Sequence, residues 1–263
     1  SITSSSDGTK LAATVFNGNI WTSTDSGGTW TSVGSLEGWW GITSSSNGAK
    51  LAAVTYGGNI WTSTDSGGTW TSVGSTKWWT DITSSSDGTK LAAVILGGNI
   101  WTSTNSGGTW TSVGSSKNWK GITSSSDGAK LAAFEYAGSS GNIWTSIDSG
   151  ASWTEVTSIT STGKLWSGIT SSSDGTKLAA VDSAIDGNIW TSTDSGATWT
   201  EHTSEGGVWT DITSSSDGTK LAAAEAPGYP NSKGNIWTLD SNCDASAEPT
   251  HGGVGTCTSS LAS

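Results

Sequence analysis

The sequence predicts an all-β fold, a six-bladed β-propeller of four-stranded antiparallel blades, from two observations. A segment reading Ile-Thr-Ser-Ser-Ser occurs six times, at spacings of 40, 40, 40, 47 and 43 residues, which is the period of propeller blades. An Asp-Gly or Asn-Gly pair follows every copy, and these residues tolerate the positive φ of tight hairpin turns. No helical periodicity interrupts the pattern, so short strands are expected throughout. The segments start at Ile2, Ile42, Ile82, Ile122, Ile169 and Ile212.

Four strands, A to D, are predicted in each repeat. Strand A is the Ile-Thr-Ser-Ser-Ser segment, strand B begins at Lys-Leu-Ala-Ala, and strand C is Gly-Asn-Ile-Trp-Thr. A second turn leads to strand D, which begins at the Trp of a Ser-x-Asp-x-Gly-x-Thr-Trp motif. We expect one domain over 1–263, with blades at approximately 1–38, 39–78, 79–118, 119–165, 166–208 and 209–263.

The sixth repeat lacks this second turn in its usual place, because Ser241-Asn242-Cys243 stands there. The tail restores the pattern, since Gly255-Thr256-Cys257-Thr258-Ser259 aligns with Gly28-Thr29-Trp30-Thr31-Ser32. Cys257 then takes the position of the strand D Trp, and the sequence predicts a disulfide between Cys243 and Cys257 that closes the insertion. By loop closure such a bond contributes roughly 3 kcal/mol.

The charge balance excludes two classes of partner. The formal net charge is -11, from 22 acidic residues against 11 Lys, and there is no Arg. Nucleic acids and anionic membrane surfaces both require a basic surface, so neither is an expected partner. No apolar run is long enough to span a bilayer, which argues against membrane insertion. The chain starts at Ser1, lacks Met and has two Cys, so we expect a secreted, extracellular protein whose N-terminal signal has been removed.

Tryptophan is the main large apolar residue, with 18 copies against two Phe and three Tyr. Six Trp fall on strand C, five on strand D, and five stand three residues before the Ile of strand A. Repeated Trp at equivalent positions are expected to pack within and between sheets. Two others, Trp40 and Trp78, have no equivalents in other repeats, so we expect them to be exposed.

The second turn carries a family resemblance. Ser23 to Trp30 reads Ser-Thr-Asp-Ser-Gly-Gly-Thr-Trp and resembles the Asp-box, or bacterial neuraminidase repeat, of sialidases, sortilin-type receptors, some glycoside hydrolases and photosystem II assembly factors. The resemblance implies a propeller fold and a folding role for the box, not a catalytic one. Sialidase activity is not expected, because those enzymes hold the substrate carboxylate with Arg. The side chains expected to bind backbone donors of their own turns are Asp25, Asp65, Asn105, Asp148 and Asp194.

Sequence variation is concentrated in the B–C and D–A loops, which alternating strand direction places on one side of the predicted ring. Rigid scaffolds usually bind ligands through such loops. Aromatic rings stack on the C–H faces of sugars and polar groups fix their hydroxyls, so we predict a multivalent, lectin-like protein with glycans or glycoconjugates as partners. A homo-oligomer is a further expectation. The candidate ligand-binding residues are Trp39, Trp40, Trp78, Trp79, Trp119, Trp166, Trp209, Phe16, Tyr56, Tyr136, Glu135, Asp182 and Glu225.

Two other functions remain open at this point. An extracellular structural or protein-interaction scaffold would use Trp40 and Trp78 as contact anchors. A glycoside hydrolase would use two of the acids Glu135, Asp182 and Glu225, which occupy equivalent positions just after strand B in the last three repeats. The alternative role for these acids is that of solvated loop residues, and for the class of Trp39 it is packing between blades. No catalytic residue, metal site or cofactor is predicted, because His, Cys and carboxylates show no metal-ligand spacing.

Overall fold

The computed structural model describes residues 1–136, 138, 140–159, 164–226 and 234–240. These residues form twenty β-strands and no helix, which confirms the predicted all-β class. The strands are β1 (Ile2–Ser4), β2 (Leu11–Thr14), β3 (Phe16–Ser23), β4 (Thr31–Ser44), β5 (Leu51–Ser63), β6 (Thr71–Ser84), β7 (Leu91–Ile95), β8 (Gly98–Ser103), β9 (Thr111–Lys117), β10 (Trp119–Ser124), β11 (Leu131–Glu135), β12 (Ile143–Ser146), β13 (Thr154–Glu155), β14 (Trp166–Ser171), β15 (Leu178–Asp182), β16 (Gly187–Ser192), β17 (Thr200–Gly207), β18 (Trp209–Ser214), β19 (Lys220–Glu225) and β20 (Ile236–Asp240).

The chain divides into two compact units. The first unit consists of 1–133 with 146–153, and the second consists of 134–145 with 154–263. Within each sheet the strands follow one another in sequence order, and antiparallel pairing of neighbours makes the sheet a meander. The first unit contains a sheet of nine strands, β1 to β9. The other sheets contain β10 to β13, β14 to β17, and β18 to β20.

The nine-stranded sheet differs from the predicted set of separate four-stranded blades. Strand β4 joins the predicted strand D of the first repeat to strand A of the second, and β6 does the same for the next pair. Strand β5 likewise joins strands B and C of the second repeat. A β-bulge between Trp39 and Gly41 lets the pairing continue while it changes the direction of the side chains. The fourth and fifth repeats form four-stranded sheets, and the described part of the sixth repeat has three strands.

The Asp-Gly and Asn-Gly pairs form tight turns between strands A and B, as predicted. In the first repeat Gly8 has a φ of 70°. The side chain of Asp7 accepts hydrogen bonds from the Ser5 hydroxyl at 2.6 Å and from the Thr9 N–H at 3.0 Å. These bonds within the turn fix the hairpin that pairs Ile2 with Ala13.

The second turn is held by the Asp of the motif, as the resemblance to the Asp-box implies. Asp25 accepts from the backbone N–H and the hydroxyl of Thr29 at 2.8 and 2.7 Å, and from the Ser23 hydroxyl at 2.8 Å. The Ser23 oxygen in turn accepts from the Gly27 N–H at 2.9 Å. The bonds from Thr29, followed by the one from Ser23, lower the pKa of Asp25 to about 2. The same contacts recur at Asp65, Asp148 and Asp194.

The third repeat shows that an amide can replace this carboxylate. Asn105 Oδ1 accepts from the Thr109 N–H at 2.8 Å, and Asn105 Nδ2 donates to the Thr109 hydroxyl at 3.0 Å. We therefore expect Asp65→Ala to lower the thermal unfolding temperature clearly, and Asp65→Asn to lower it much less at pH 7. Differential scanning calorimetry of both variants provides the measurement. An equal loss in the two variants would contradict the role given to these bonds.

Polar contacts between residues in and beside the A–B and C–D turns join successive repeats. The ammonium of Lys10 donates to the hydroxyl of Ser66 at 3.0 Å, one repeat further along the chain. The backbone N–H of Ser6 donates to the carbonyl of Ser46 at 2.7 Å, and Ser46 repeats this bond to Ser86. Each repeat of the first unit is thus fastened to the next by the same pair of contacts.

Candidate ligand-binding site

Four exposed aromatic side chains lie in contact on the first unit, and we call them the aromatic row. They are Phe16 on β3, Trp40 on β4, Tyr56 on β5 and Trp78 on β6. Their exposed fractions are 54, 46, 37 and 55% in the same order. The distances between successive ring centroids are 5.7, 5.2 and 4.8 Å. The first two repeats therefore contribute to one continuous aromatic surface.

Strand register explains why these rings meet. Phe16 pairs with Gly38 across β3 and β4, and Tyr56 pairs directly with Trp78 across β5 and β6. Directly opposite residues bring their side chains together on one face of a sheet. The bulge at Trp39 and Gly41 leaves the intervening Trp40 outside the pairing, on the exposed side.

A glycine makes room for the last ring of the row. Gly57 has a φ of 76°, a conformation that favours glycine, and a Cβ at this position would lie 3.1 Å from Cζ3 of Trp78. The ring of Trp78 can therefore pack directly against the backbone of β5. A side chain at position 57 would push this ring away from Tyr56.

The rings support one another through their relative orientation. The ring planes of Trp40 and Tyr56 are only 31° apart, whereas those of Phe16 and Trp40 are 86° apart in an edge-on contact. Edge-to-face and offset arrangements are the favourable ones for aromatic pairs. The row is therefore ordered before any ligand arrives, which reduces the entropy lost on binding.

The charged side chains that lie nearest to the aromatic row in the strand pairing already contact other groups of the protein. Glu37 pairs with Gly18 and accepts a hydrogen bond from the Ser35 hydroxyl at 3.4 Å. Lys77 pairs with Gly58, and its ammonium lies 4.7 Å from the centroid of the Trp101 ring. This cation–π contact holds the lysine over the adjacent repeat.

Five of the predicted ligand-binding residues belong instead to the core. All five are tryptophans that are at most 2% exposed, so none presents a ring face to a ligand, which corrects that prediction. Their indole N–H groups donate to backbone carbonyls, as Trp79 does to Ser75 at 3.3 Å and Trp209 to Gly187 at 2.9 Å. The alternative of packing between blades is supported for this class, since Trp39 shares a buried cluster with Ala12 and Ile20 of the first repeat. These residues are Trp39, Trp79, Trp119, Trp166 and Trp209.

The three acids that were candidates for ligand binding or catalysis turn inward as well. Glu135 is 8% exposed and accepts from the indole N–H of Trp144 at 3.3 Å. Glu225 accepts from the indole N–H of Trp237 at 2.9 Å. Both carboxylates therefore hold the strand C Trp of their own repeat, a role that neither the ligand-binding nor the solvated-loop interpretation included.

Asp182 occupies the equivalent position in the fifth repeat and is 1% exposed. Its carboxylate lies 3.5 Å from the ammonium of Lys164 and accepts from the Ala184 N–H at 3.2 Å. The same ammonium lies 4.7 Å from the Trp190 ring centroid. Burial and these partners leave the Asp182 carboxylate little surface for a ligand.

The remaining predictions fall outside the aromatic row. Tyr136 belongs to the second unit and is 42% exposed. The predicted disulfide between Cys243 and Cys257 lies outside the described residues. In the part of the chain that the structure describes, no group of three His, Cys, Asp or Glu is placed to hold a metal ion. Within that same part, no helix has the length and apolarity needed to cross a membrane.

Leu96 lies at the end of the aromatic row and was not among the residues predicted from the sequence. It occupies the same repeat position as Phe16 and Tyr56, is 39% exposed, and its N–H donates to the carbonyl of Trp78 at 2.9 Å. The signal was present in the alignment of repeats, since aromatic residues occupy this position in three of the other repeats. The aromatic row thus ends beside an aliphatic side chain.

Comparison with known proteins identifies the fold. Neither a protein-family model nor a curated protein matches the sequence. Among solved structures, the GH74 enzyme of Niastella koreensis matches with a TM-score of 0.74 at 18% identity, over 94% of this chain and 45% of that chain. The GH74 xyloglucanase of Xanthomonas campestris matches with a TM-score of 0.68 at 13% identity, over 91% of this chain and 44% of that chain. This chain therefore spans less than half the length of these two enzymes.

A third similar structure is YCF48 bound to D1 peptide, with a TM-score of 0.64 at 16% identity, over 92% of this chain and 77% of that chain. The structural neighbours are β-propellers, and this chain shares their fold. At these identities the likeness establishes the fold alone, because one fold carries many unrelated functions.

Proposed function

We propose that this chain is a carbohydrate-binding β-propeller without catalytic activity, in which the six repeats form six four-stranded blades. The observation that carries the proposal is the aromatic row, four contacting rings that each expose 37% or more of their surface. The proposal places the protein outside the cell, with glycans or glycoconjugates as partners.

Exposed aromatic clusters of this kind mark interaction sites in soluble proteins, since water solvates them poorly. A pyranose ring offers C–H groups on its faces and hydroxyls around its edge. The rings of Trp40 and Trp78 can cover the C–H groups, and the Tyr56 hydroxyl can form a hydrogen bond with a sugar hydroxyl. This match of an apolar surface with a polar tip supports a sugar as the ligand.

The positions of the carboxylates favour binding over catalysis. Glycoside hydrolysis requires two carboxyl groups facing one glycosidic bond. Glu135 and Glu225 hold indole N–H groups, and Asp182 faces Lys164. The GH74 likeness therefore contributes the scaffold to the proposal, whereas its enzymatic activity does not extend to these residues.

A protein-binding scaffold is the second candidate, because the YCF48 structure similar to this chain holds a peptide. Trp and Tyr are also the residues that most often anchor protein interfaces. Glycan binding is preferred since the charged residues that usually rim a protein interface are engaged near the row, as Lys77 and Glu37 show.

Affinity electrophoresis through gels that contain one soluble polysaccharide each tests the proposal. We expect retardation in at least one neutral polysaccharide, and roughly tenfold weaker binding for Trp40→Ala and Trp78→Ala, equivalent to about 1.4 kcal/mol. Ile147→Thr is the matched control, because Ile147 is 71% exposed in the first unit outside the row and other repeats carry Thr at its position.

Two outcomes would overturn the proposal. The first is the absence of retardation by every polysaccharide in the panel. The second is retardation that Trp40→Ala and Trp78→Ala leave unchanged, because binding would then occur away from the aromatic row.

A further inference from the structure

We infer that the aromatic row binds an extended, uncharged polysaccharide chain of the β-linked glucan type, laid across two repeats, in place of a terminal sugar or an acidic glycan. This inference rests on the proposed function and specifies its ligand class. Three features of the row carry it, namely the regular steps between its rings, its open surface and the charges beside it.

The regular steps indicate a chain with several residues in contact at once. Successive centroids are 5.7, 5.2 and 4.8 Å apart, a spacing comparable to the length of one pyranose residue in an extended chain. Equatorial substituents, as in β-linked glucose, leave C–H groups on both faces of each ring. The planes of successive rings differ by 86, 31 and 59°, so the rings pack against one another and form one continuous apolar ridge. Several consecutive sugar residues can contact this ridge at once, and their contributions accumulate along one ligand.

The open surface argues against recognition of a chain end. A terminal sugar is recognised by a pocket that surrounds it. One hollow of the first unit is lined by Trp79, Trp101 and Trp110, and another by Lys50, Leu51 and Leu91, so both lie away from the row. All four rings of the row are exposed to solvent, so a chain can extend past both ends of the row.

The charges argue against an acidic glycan. An anionic sugar needs a cation that can turn toward it, but the ammonium of Lys77 rests over Trp101. Moving it would cost the cation–π contact. The net charge of -11 also repels a polyanion during approach.

The end of the row at Leu96 provides a gain-of-function test. Tyr stands at the equivalent position in the second and fourth repeats, as Tyr56 and Tyr136, so Leu96→Tyr places a residue that this backbone already accepts. The new ring would follow Trp78 and lengthen the row by one step. Ligands long enough to reach it should bind more tightly, and shorter ones should not.

Isothermal titration calorimetry with glucose and cello-oligosaccharides from two to six residues measures this effect. We expect wild-type affinity to rise with length up to about four residues and then to level off. Leu96→Tyr should bind the hexasaccharide roughly threefold to tenfold more tightly, leave the disaccharide unchanged, and shift the plateau to a longer chain. Phe16→Ala, at the opposite end, should shift it to a shorter one, and Ile147→Thr should match wild type.

The outcomes distinguish this inference from the proposed function. Equal affinity for glucose and the hexasaccharide, or tighter binding of carboxymethylated than of neutral cellulose chains, would overturn the inference and leave a glycan-binding protein. A second result would also contradict the row as the path of the chain. In it, Phe16→Ala loses the dependence of affinity on chain length while Leu96→Tyr leaves that dependence unchanged. Failure of wild type to bind any sugar would overturn both.

Discussion

Trp79→Ala is expected to lower the free energy of unfolding by about 3–5 kcal/mol, the range for removal of a large aromatic side chain from a core. Trp79 is 1% exposed and lies 6.3 Å from the ring centroids of both Trp101 and Trp110. It packs with Val54, Ile82 and other buried residues of the first unit. The cavity left by alanine would remove all of these contacts together.

The adjacent residue is the matched control for this substitution. Trp78 has the same chemistry but is 55% exposed, so Trp78→Ala should change the free energy of unfolding by less than about 1 kcal/mol. Guanidinium chloride unfolding, followed by fluorescence, measures both variants. Similar losses of unfolding free energy in the two variants would show that the exposed ring contributes to the core. That result would contradict the assignment of Trp79 to the core and of Trp78 to the aromatic row.

Acid is expected to destabilise the fold steeply between about pH 4 and pH 2. Hydrogen bonds within the two kinds of turn lower the pKa of six carboxylates from 3.8 to about 2, and they lower the pKa values of Asp87 and Asp127 as well. The six are Asp7, Asp25, Asp65, Asp148, Asp194 and Asp217. A depressed pKa in the folded state stabilises the fold above the unfolded value of 3.8, and this stabilisation is lost as the pH falls through about 2.

Each of these carboxylates is exposed, so solvent reduces its individual contribution. Their effects nevertheless have the same sign. Asp211 has the opposite tendency, because burial raises its pKa, but it is one group against eight. Thermal unfolding temperatures measured from pH 5 to pH 2 should fall throughout the interval. Asp65→Asn, which removes one titrating group, should flatten the decline slightly, and a pH-independent unfolding temperature would refute the linkage.

Predictions from the sequence were confirmed where the interactions are local. Asp25 reaches Thr29 within its own turn, as the motif resemblance implied, and Asp7 with Gly8 forms the tight turn that these residue types predicted. The strand order followed for the same reason, since hairpin turns pair consecutive strands. The exposure of Trp40 and Trp78 was also predicted correctly, because neither residue has an equivalent in other repeats.

Predictions from the sequence were wrong where side-chain direction depends on distant parts of the chain. Glu135 and Glu225 stood in variable loops, where acids are usually solvated, yet each accepts a hydrogen bond from a Trp on the following strand. That contact depends on how two strands register across a loop, and loop length differs between these repeats. Composition cannot distinguish a carboxylate that faces solvent from one that holds an indole.

The sequence by itself determined the repeat, the turns and the all-β class, because each depends on interactions between residues close together in the chain. Only the tertiary structure decided which aromatic residues form the core and which form the site. Trp39 and Trp40 are neighbours of the same type, but strand pairing and one bulge bury the first and expose the second. The contact of Phe16, Trp40, Tyr56 and Trp78 likewise arises because the pairing of β3 to β6 brings residues of two repeats together.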